Sequence, residues 1–181
     1  GFGSTGLDIG KVAGGFGFSA FEEMTPELFD RGTSVKPKGY FNTMRHAVPH
    51  MIKQGGGRII NTASQAGKGA IPKQVHYCAT KAAVIGFTRA LAMELKDTGI
   101  RVNCFCPGSV MSEMTMREAQ AVCELDGIEP EQSLRDWQAA IPLGRWVTPE
   151  DVADISVFLA SEYAEYMTGQ AINISGGQTM N

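Results

Sequence analysis

The sequence has no long apolar run, no basic tract and few cysteines, and each shortage removes a class of function. No stretch approaches the roughly 20 apolar residues that a membrane-spanning helix needs, and no charged segment followed by an apolar one opens the chain. The expectation is a soluble, cytoplasmic protein with no membrane partner. The 16 lysines and arginines are scattered among 19 acidic residues, for a formal net charge of -3, so a row of nucleic-acid phosphates would meet no row of cations. Nucleic acid is therefore not an expected partner. The four cysteines, Cys78, Cys104, Cys106 and Cys123, form no CxxC pair. Cys104 and Cys106 are expected on opposite faces of a strand, and all four as reduced thiols in a reducing compartment.

What is present reads as one ordinary globular domain, residues 1–181: 43% hydrophobic and 19% charged residues suffice for a single substantial core. Helix and strand signals alternate, which predicts an α/β fold with a parallel sheet. Arg58 to Ala63 follows three glycines and reads as a buried strand; Ile100 to Cys106 and Ala171 to Ser175 read as two more. Between the first two lies an alanine-rich helix, about Val75 to Lys96, closed by a glycine just past its end. Thr148-Pro149-Glu150-Asp151 has the cap and first turn of another helix. Thr25-Pro26-Glu27 opens a further helix through Tyr40, Met44 and Met51, with Pro37 inside it. A mid-helix proline costs ~3 kcal/mol or more, so a kink or break is predicted near Val35.

The chemistry centres on Tyr77 and Lys81. Four residues apart on a helix, their side chains share a face. A phenol with a pKa near ~10 exchanges protons poorly at neutral pH, and an ammonium beside it stabilises the phenolate. Ser64 stands at the C-terminal end of a strand, where open α/β sheets bind ligands, and its hydroxyl could bond the substrate oxygen that Tyr77 protonates. His46 and His50 also have helical i, i+4 spacing, but no third ligand accompanies them and no metal is expected.

The segments GRIINTASQAG, YCATKAAVIGFTRALAMEL, GIRVNCFCPGSVMSEM, IPLGRWVTPEDVADISVFLAS and YMTGQAINISGG resemble, in order and spacing, the C-terminal two-thirds of short-chain dehydrogenases/reductases. The resemblance covers roughly residues 7 to 177. It implies a Rossmann-like doubly wound parallel sheet of which this chain holds strands 4 to 7. It also implies that Tyr77 is the general acid/base, that Lys81 binds the nicotinamide ribose and depresses the Tyr77 pKa, and that Ser64 polarises the substrate oxygen. Pro107, Gly108, Val110 and Ser112 match the family segment lying against the nicotinamide of NAD or NADP. Ala13 and Gly14 match the end of a cofactor-supporting segment.

Three departures stand out. Gly10 and Lys11 interrupt the expected strand from Leu7 to Ala13. Lys36 replaces the asparagine that in the family holds a proton-relay water. The family's first third, with its glycine-rich turn, has no counterpart; Gly1, Gly3 and Gly6 spell GxGxxG without a preceding strand, so that spacing lacks its physical context.

The resemblance implies an NAD(P)-dependent oxidoreductase acting on a small-molecule secondary alcohol or ketone, and it is closer to sorbitol and other polyol dehydrogenases than to acyl-carrier-protein ketoreductases. The alternative is a catalytically silent relative that keeps the fold for association. Met111, Met114, Met116 and the stretch through Trp137 match a substrate-covering segment, where methionines could adapt to a ligand or fill gaps in the core. By the same analogy the chain is expected to form a homo-oligomer, a dimer or tetramer, through its two longest helices.

Overall fold

The computed structural model describes residues 18–181. Helix α1 (Pro26–Lys53) leads into strand β1 (Gly57–Thr62); α2 (Val75–Glu94) and β2 (Ile100–Pro107) follow. Then come α3 (Glu113–Asp126), α4 (Pro130–Ala139), α5 (Pro149–Ala160) and β3 (Ala171–Ile174). The strands form a parallel sheet in the order β1-β2-β3, with Ile59 opposite Val102 and Phe105 opposite Ile172. Strands 5 to 7 of the expected sheet are thus in place, and the Leu7 to Ala13 segment lies outside the described residues, as do Ala13 and Gly14.

Both faces of the sheet are covered, which is why β2 is buried at nearly every position rather than at alternate ones. On one face Met44, Ile59, Ala92, Leu95, Ile100 and Val102 pack beneath α1 and α2. On the other, Phe105 packs with Leu159 of α5 and with Ile60, Ile172 and Ile174. Arg101 fixes this second layer by donating to the carbonyls of Leu159, Ser161 and Ala164 at 2.8–3.2 Å, a cation set against the C-terminal end of a helix.

Cys104 and Cys106 do not point to opposite faces. A strand repeats every two residues, so positions i and i+2 share a side. Both thiols are wholly buried in one cluster with Val84 and Ile85, and they hydrogen-bond each other.

The break expected near Val35 is also absent: α1 runs through Pro37 and Pro49. The reason lies on either side of the proline. Thr25 caps the N-terminus by accepting from the Leu28 N–H at 3.2 Å, while Tyr40, Met44, Val48 and Met51 pack on the core beyond it. Burying one large apolar side chain is worth about 1.5–3 kcal/mol, so several outweigh one proline.

Past the end of α2 both Asp97 (φ 67°) and the expected glycine, Gly99 (φ 74°), are left-handed. Gly99 leads into β2, where a Cβ would lie 2.6 Å from the Gly55 carbonyl oxygen. The Thr148 signal also appears as read: its hydroxyl accepts from the Asp151 N–H at 3.2 Å and the Asp151 carboxylate accepts from the Thr148 N–H at 2.8 Å, a reciprocal capping box.

Candidate active site

β1 ends at Thr62, and the chain turns sharply at Ser64 into one helical turn, Gln65–Gly67, packed on α2. Ser64 is in extended conformation and caps that turn: its Oγ accepts from the Ala66 N–H at 3.2 Å. The hydroxyl proton is then available to donate, and the Ser64 side chain hydrogen-bonds the Tyr77 phenol. Gly67 makes this approach possible, since a Cβ there would stand 2.6 Å from the Lys81 carbonyl carbon.

Lys81 lies one helical turn from Tyr77 on the same face, its Nζ 5.8 Å from the centroid of the phenol ring. The ammonium is buried at 8% exposure and donates to the Thr62 carbonyl at 2.9 Å. That carbonyl also accepts from the Tyr40 hydroxyl at 2.7 Å. One backbone oxygen at the end of β1 therefore fixes both the amine of α2 and a phenol of α1.

The electrostatics differ from the simple expectation. The Lys81 pKa is lowered to about 8, mainly by burial and in part by the Lys36 ammonium, with Cys106 acting the opposite way. Burial likewise lifts the Tyr77 phenol above its ordinary range; the Ser64 hydrogen bond works against that rise, and Glu118 and Cys78 add to it. Burial, rather than Lys81, is thus the largest influence on Tyr77 in this state of the protein.

The remaining candidates fall near but play mixed parts. Pro107 ends β2, the Gly108 N–H donates to the Ile174 carbonyl at 2.8 Å, and Val110 bridges to Val147. The Ser112 hydroxyl caps α3, accepting from the Thr115 N–H at 3.3 Å and sharing a 3.1 Å bond with the Thr115 hydroxyl. Met111, Met114 and Met116 are 43–58% exposed, so they do not fill the core. His46 and His50 are exposed on α1, and among the described residues no group of three His, Cys, Asp or Glu side chains could hold a metal. No described helix is long and apolar enough to cross a membrane.

Sequence reasoning missed Tyr40, Gln74 and Glu118. Tyr40 looked like one more apolar position on α1. Gln74 and Glu118 are far apart in the chain, yet their side chains hydrogen-bond beside Tyr77. A cleft of about 540 Å³ between α1 and β1 is lined by Lys36, Tyr40, Met44, Met51 and Ile59, but by none of Ser64, Tyr77 or Lys81, and so is not where those three meet a substrate.

Ser64, Tyr77 and Lys81 converge at the C-terminal end of a parallel strand, the place where open α/β sheets bind ligands. The family model described as Enoyl-(Acyl carrier protein) reductase matches residues 5–179. An uncharacterized oxidoreductase of Thermotoga maritima is 41% identical over 162 residues, 90% of this chain and 62% of that protein. Among solved structures, an actinorhodin polyketide ketoreductase with NADPH superposes with a TM-score of 0.86 at 33% identity, over 91% of this chain and 64% of the other. Sorbitol-6-phosphate 2-dehydrogenase SrlD from Erwinia amylovora gives the same TM-score and identity over 90% and 64%. The chain spans under two thirds of the length of each of these proteins. On the motif order, the sheet and these likenesses, the chain belongs to the short-chain dehydrogenase/reductase family.

Proposed function

We propose that this chain is the catalytic part of an NAD- or NADP-dependent oxidoreductase that interconverts a secondary alcohol and a ketone. The observation that carries this reading is the meeting of the Ser64 hydroxyl, the Tyr77 phenol and the Lys81 ammonium at the end of β1.

The residues present suit a nicotinamide dinucleotide. The Lys81 ammonium has three N–H groups, of which the Thr62 carbonyl occupies one, leaving donors for a ribose diol. By the family resemblance, Pro107, Gly108 and Val110, at and beyond the end of β2, together with Ala13 and Gly14, would be the segments that lie against the nicotinamide. Ser112 would contribute through its backbone, because its hydroxyl is occupied at the start of α3. A bound cofactor would supply or accept the hydride at the substrate carbon.

The chain's own groups handle the oxygen. Ser64 donates to the substrate oxygen and orients it, and Tyr77 gives that oxygen its proton in reduction or removes it in oxidation. Lys81 stabilises the phenolate left behind. Replacing Tyr77 by phenylalanine in the whole protein should cut turnover by about 10²–10⁴-fold, the usual worth of a positioned acid/base, and leave dinucleotide binding within severalfold. Steady-state rates with a dinucleotide fluorescence titration check both halves. Retained turnover would remove Tyr77 from the mechanism.

A polyol substrate is the finer reading. It rests on the SQAG and YCATKAAV segments and on the likeness to sorbitol-6-phosphate 2-dehydrogenase, against an equal likeness to a polyketide ketoreductase. Comparing kcat/KM for sorbitol, sorbitol 6-phosphate and a β-ketoacyl thioester decides between them. We also place the protein in the cytoplasm as a single domain that forms a dimer or tetramer through α1 and α2. Phe29, Phe41 and Ile52 of α1 and Met93 of α2 are 38–73% exposed and available for such an interface. Light scattering at two concentrations tests it.

A further inference from the structure

Two ammonium groups, not one, stand over the Tyr77 ring. Lys81 approaches from α2 with its Nζ at 5.8 Å from the centroid; Lys36 approaches from α1 at 5.7 Å. The two cations come from different elements and meet the same phenol, which is an unfavourable arrangement unless something offsets their repulsion. The offsetting charge is Glu118 of α3, which interacts electrostatically with Lys36 and with Tyr77 and is hydrogen-bonded by the Gln74 side chain ahead of α2. Gln74 is itself 3% exposed. Three helices thus deliver two positive charges and one negative charge to a single hydroxyl-bearing ring.

We propose that Lys36 is a second positioning cation for Tyr77, held there by the Glu118 carboxylate, and that it shares with Lys81 the stabilisation of the phenolate. This rests on Tyr77 being the acid/base of the proposed reaction. The groups facing the pair are Tyr40 from α1, Ser64 beyond β1, Cys78 on α2, Cys106 on β2 and Glu118 on α3. Tyr40, whose phenol is raised by burial, is neutral at pH 7, while the Cys106 thiol, lowered to about 7, carries part of a negative charge that opposes the Lys36 ammonium in the field that Lys81 feels. A positive Lys36 makes Lys81 surrender its proton more readily, and Glu118 keeps Lys36 charged. The consequence is that α3, which carries Glu118, adjusts the protonation of α2 without touching Lys81.

The test reads the lysines directly. The pH dependence of acetylation at Lys36 and Lys81, followed by peptide mass spectrometry, gives each amine's midpoint in the folded protein. Lys36→Gln should raise the Lys81 midpoint from about 8 by about half a pH unit or more, because a like charge has gone. Lys36→Arg keeps the charge and should leave the midpoint near its original value. Glu118→Gln should lower the Lys36 midpoint by a similar amount. An unmoved Lys81 midpoint in Lys36→Gln, or an arginine variant that behaves like glutamine, overturns the proposal. If Lys36→Gln does not fold by circular dichroism, the Glu118→Gln result decides, and an unmoved Lys36 midpoint refutes the pair. In the whole protein the pH limb of kcat/KM should move with the Lys81 midpoint. Labelling does not depend on turnover, so its failure leaves the oxidoreductase reading standing, whereas activity retained in Tyr77→Phe would sink that reading and leave the lysine midpoints as measured.

Discussion

The sheet layer and the α3–α4 segment are built in opposite ways. In the sheet layer, Val102, Cys104 and Cys106 of β2 and Leu159 of α5 are completely buried, and helices cover both faces. In α3 and α4 only Thr115, Ala119 and Ser133 are buried, while Met114, Met116 and Leu125 are 46–58% exposed. What ties α3 to the rest is polar: the Lys73–Asp126 ion pair and the Gln74–Glu118 hydrogen bond. The difference teaches where rigidity is needed. Ser64, Tyr77 and Lys81 must hold relative positions to within fractions of an ångström, and they sit on the packed layer. The segment beside them has fewer buried side chains, and its Lys73–Asp126 ion pair is about a third exposed, where such pairs are worth little.

If that contrast is right, the largest damage should come from the layer under α5. Leu159→Ala removes a wholly buried side chain and should destabilise the protein by about 2–5 kcal/mol, measured by denaturant unfolding. A loss under 1 kcal/mol would mean that α5 repacks freely and that the layer is softer than it looks.

The second test uses the cost of placing a charge within the rigid layer. Lys81 titrates at about 8 in the folded chain and near 10.5 when unfolded. Between those values the unfolded chain binds more protons, so stability should climb as pH rises from about 8 towards 10, by on the order of 2–3 kcal/mol. Above pH 10 Tyr77, whose folded value is raised, turns the slope downward. Lys81→Met should flatten the climb and be the more stable protein at pH 7. Unfolding curves across this range check the sign; a wild-type curve that falls between pH 8 and 10 refutes it.

The smallest effect belongs to the loosely held side. Met114→Ala should change stability by no more than about 0.5 kcal/mol, since the side chain is 47% exposed. In the whole protein it should nevertheless raise KM several-fold with kcat nearly unchanged, if this segment covers the substrate. Unchanged KM would separate the methionines from substrate binding.

How legible each part was in the sequence follows the same division. The strands from Gly57, Ile100 and Ala171 were readable because turn residues and apolar runs mark them, and the Thr148 cap because its partner is three residues away. Ser64, Tyr77 and Lys81 were readable because their spacing is local or set by one strand and one helix. Pro37 misled because local helix chemistry says nothing of the burial that Tyr40, Met44 and Met51 gain beyond it. Cys104 and Cys106 were misplaced by an error of strand period, which the shared cluster corrects. Glu118 was invisible for a different reason: nothing in a sequence announces that a carboxylate 41 positions after Tyr77 will come to rest beside it.

The close seat of Gly67 on α2 has a consequence for how much this architecture tolerates. The turn bearing Ser64 rests directly on the peptide that carries Lys81, with no side chain as a spacer. The hydroxyl and the amine are therefore gauged by main chain against main chain, and adding a single methyl group at position 67 would act as a shim, lifting one half of the catalytic machinery off the other without removing a single reactive atom.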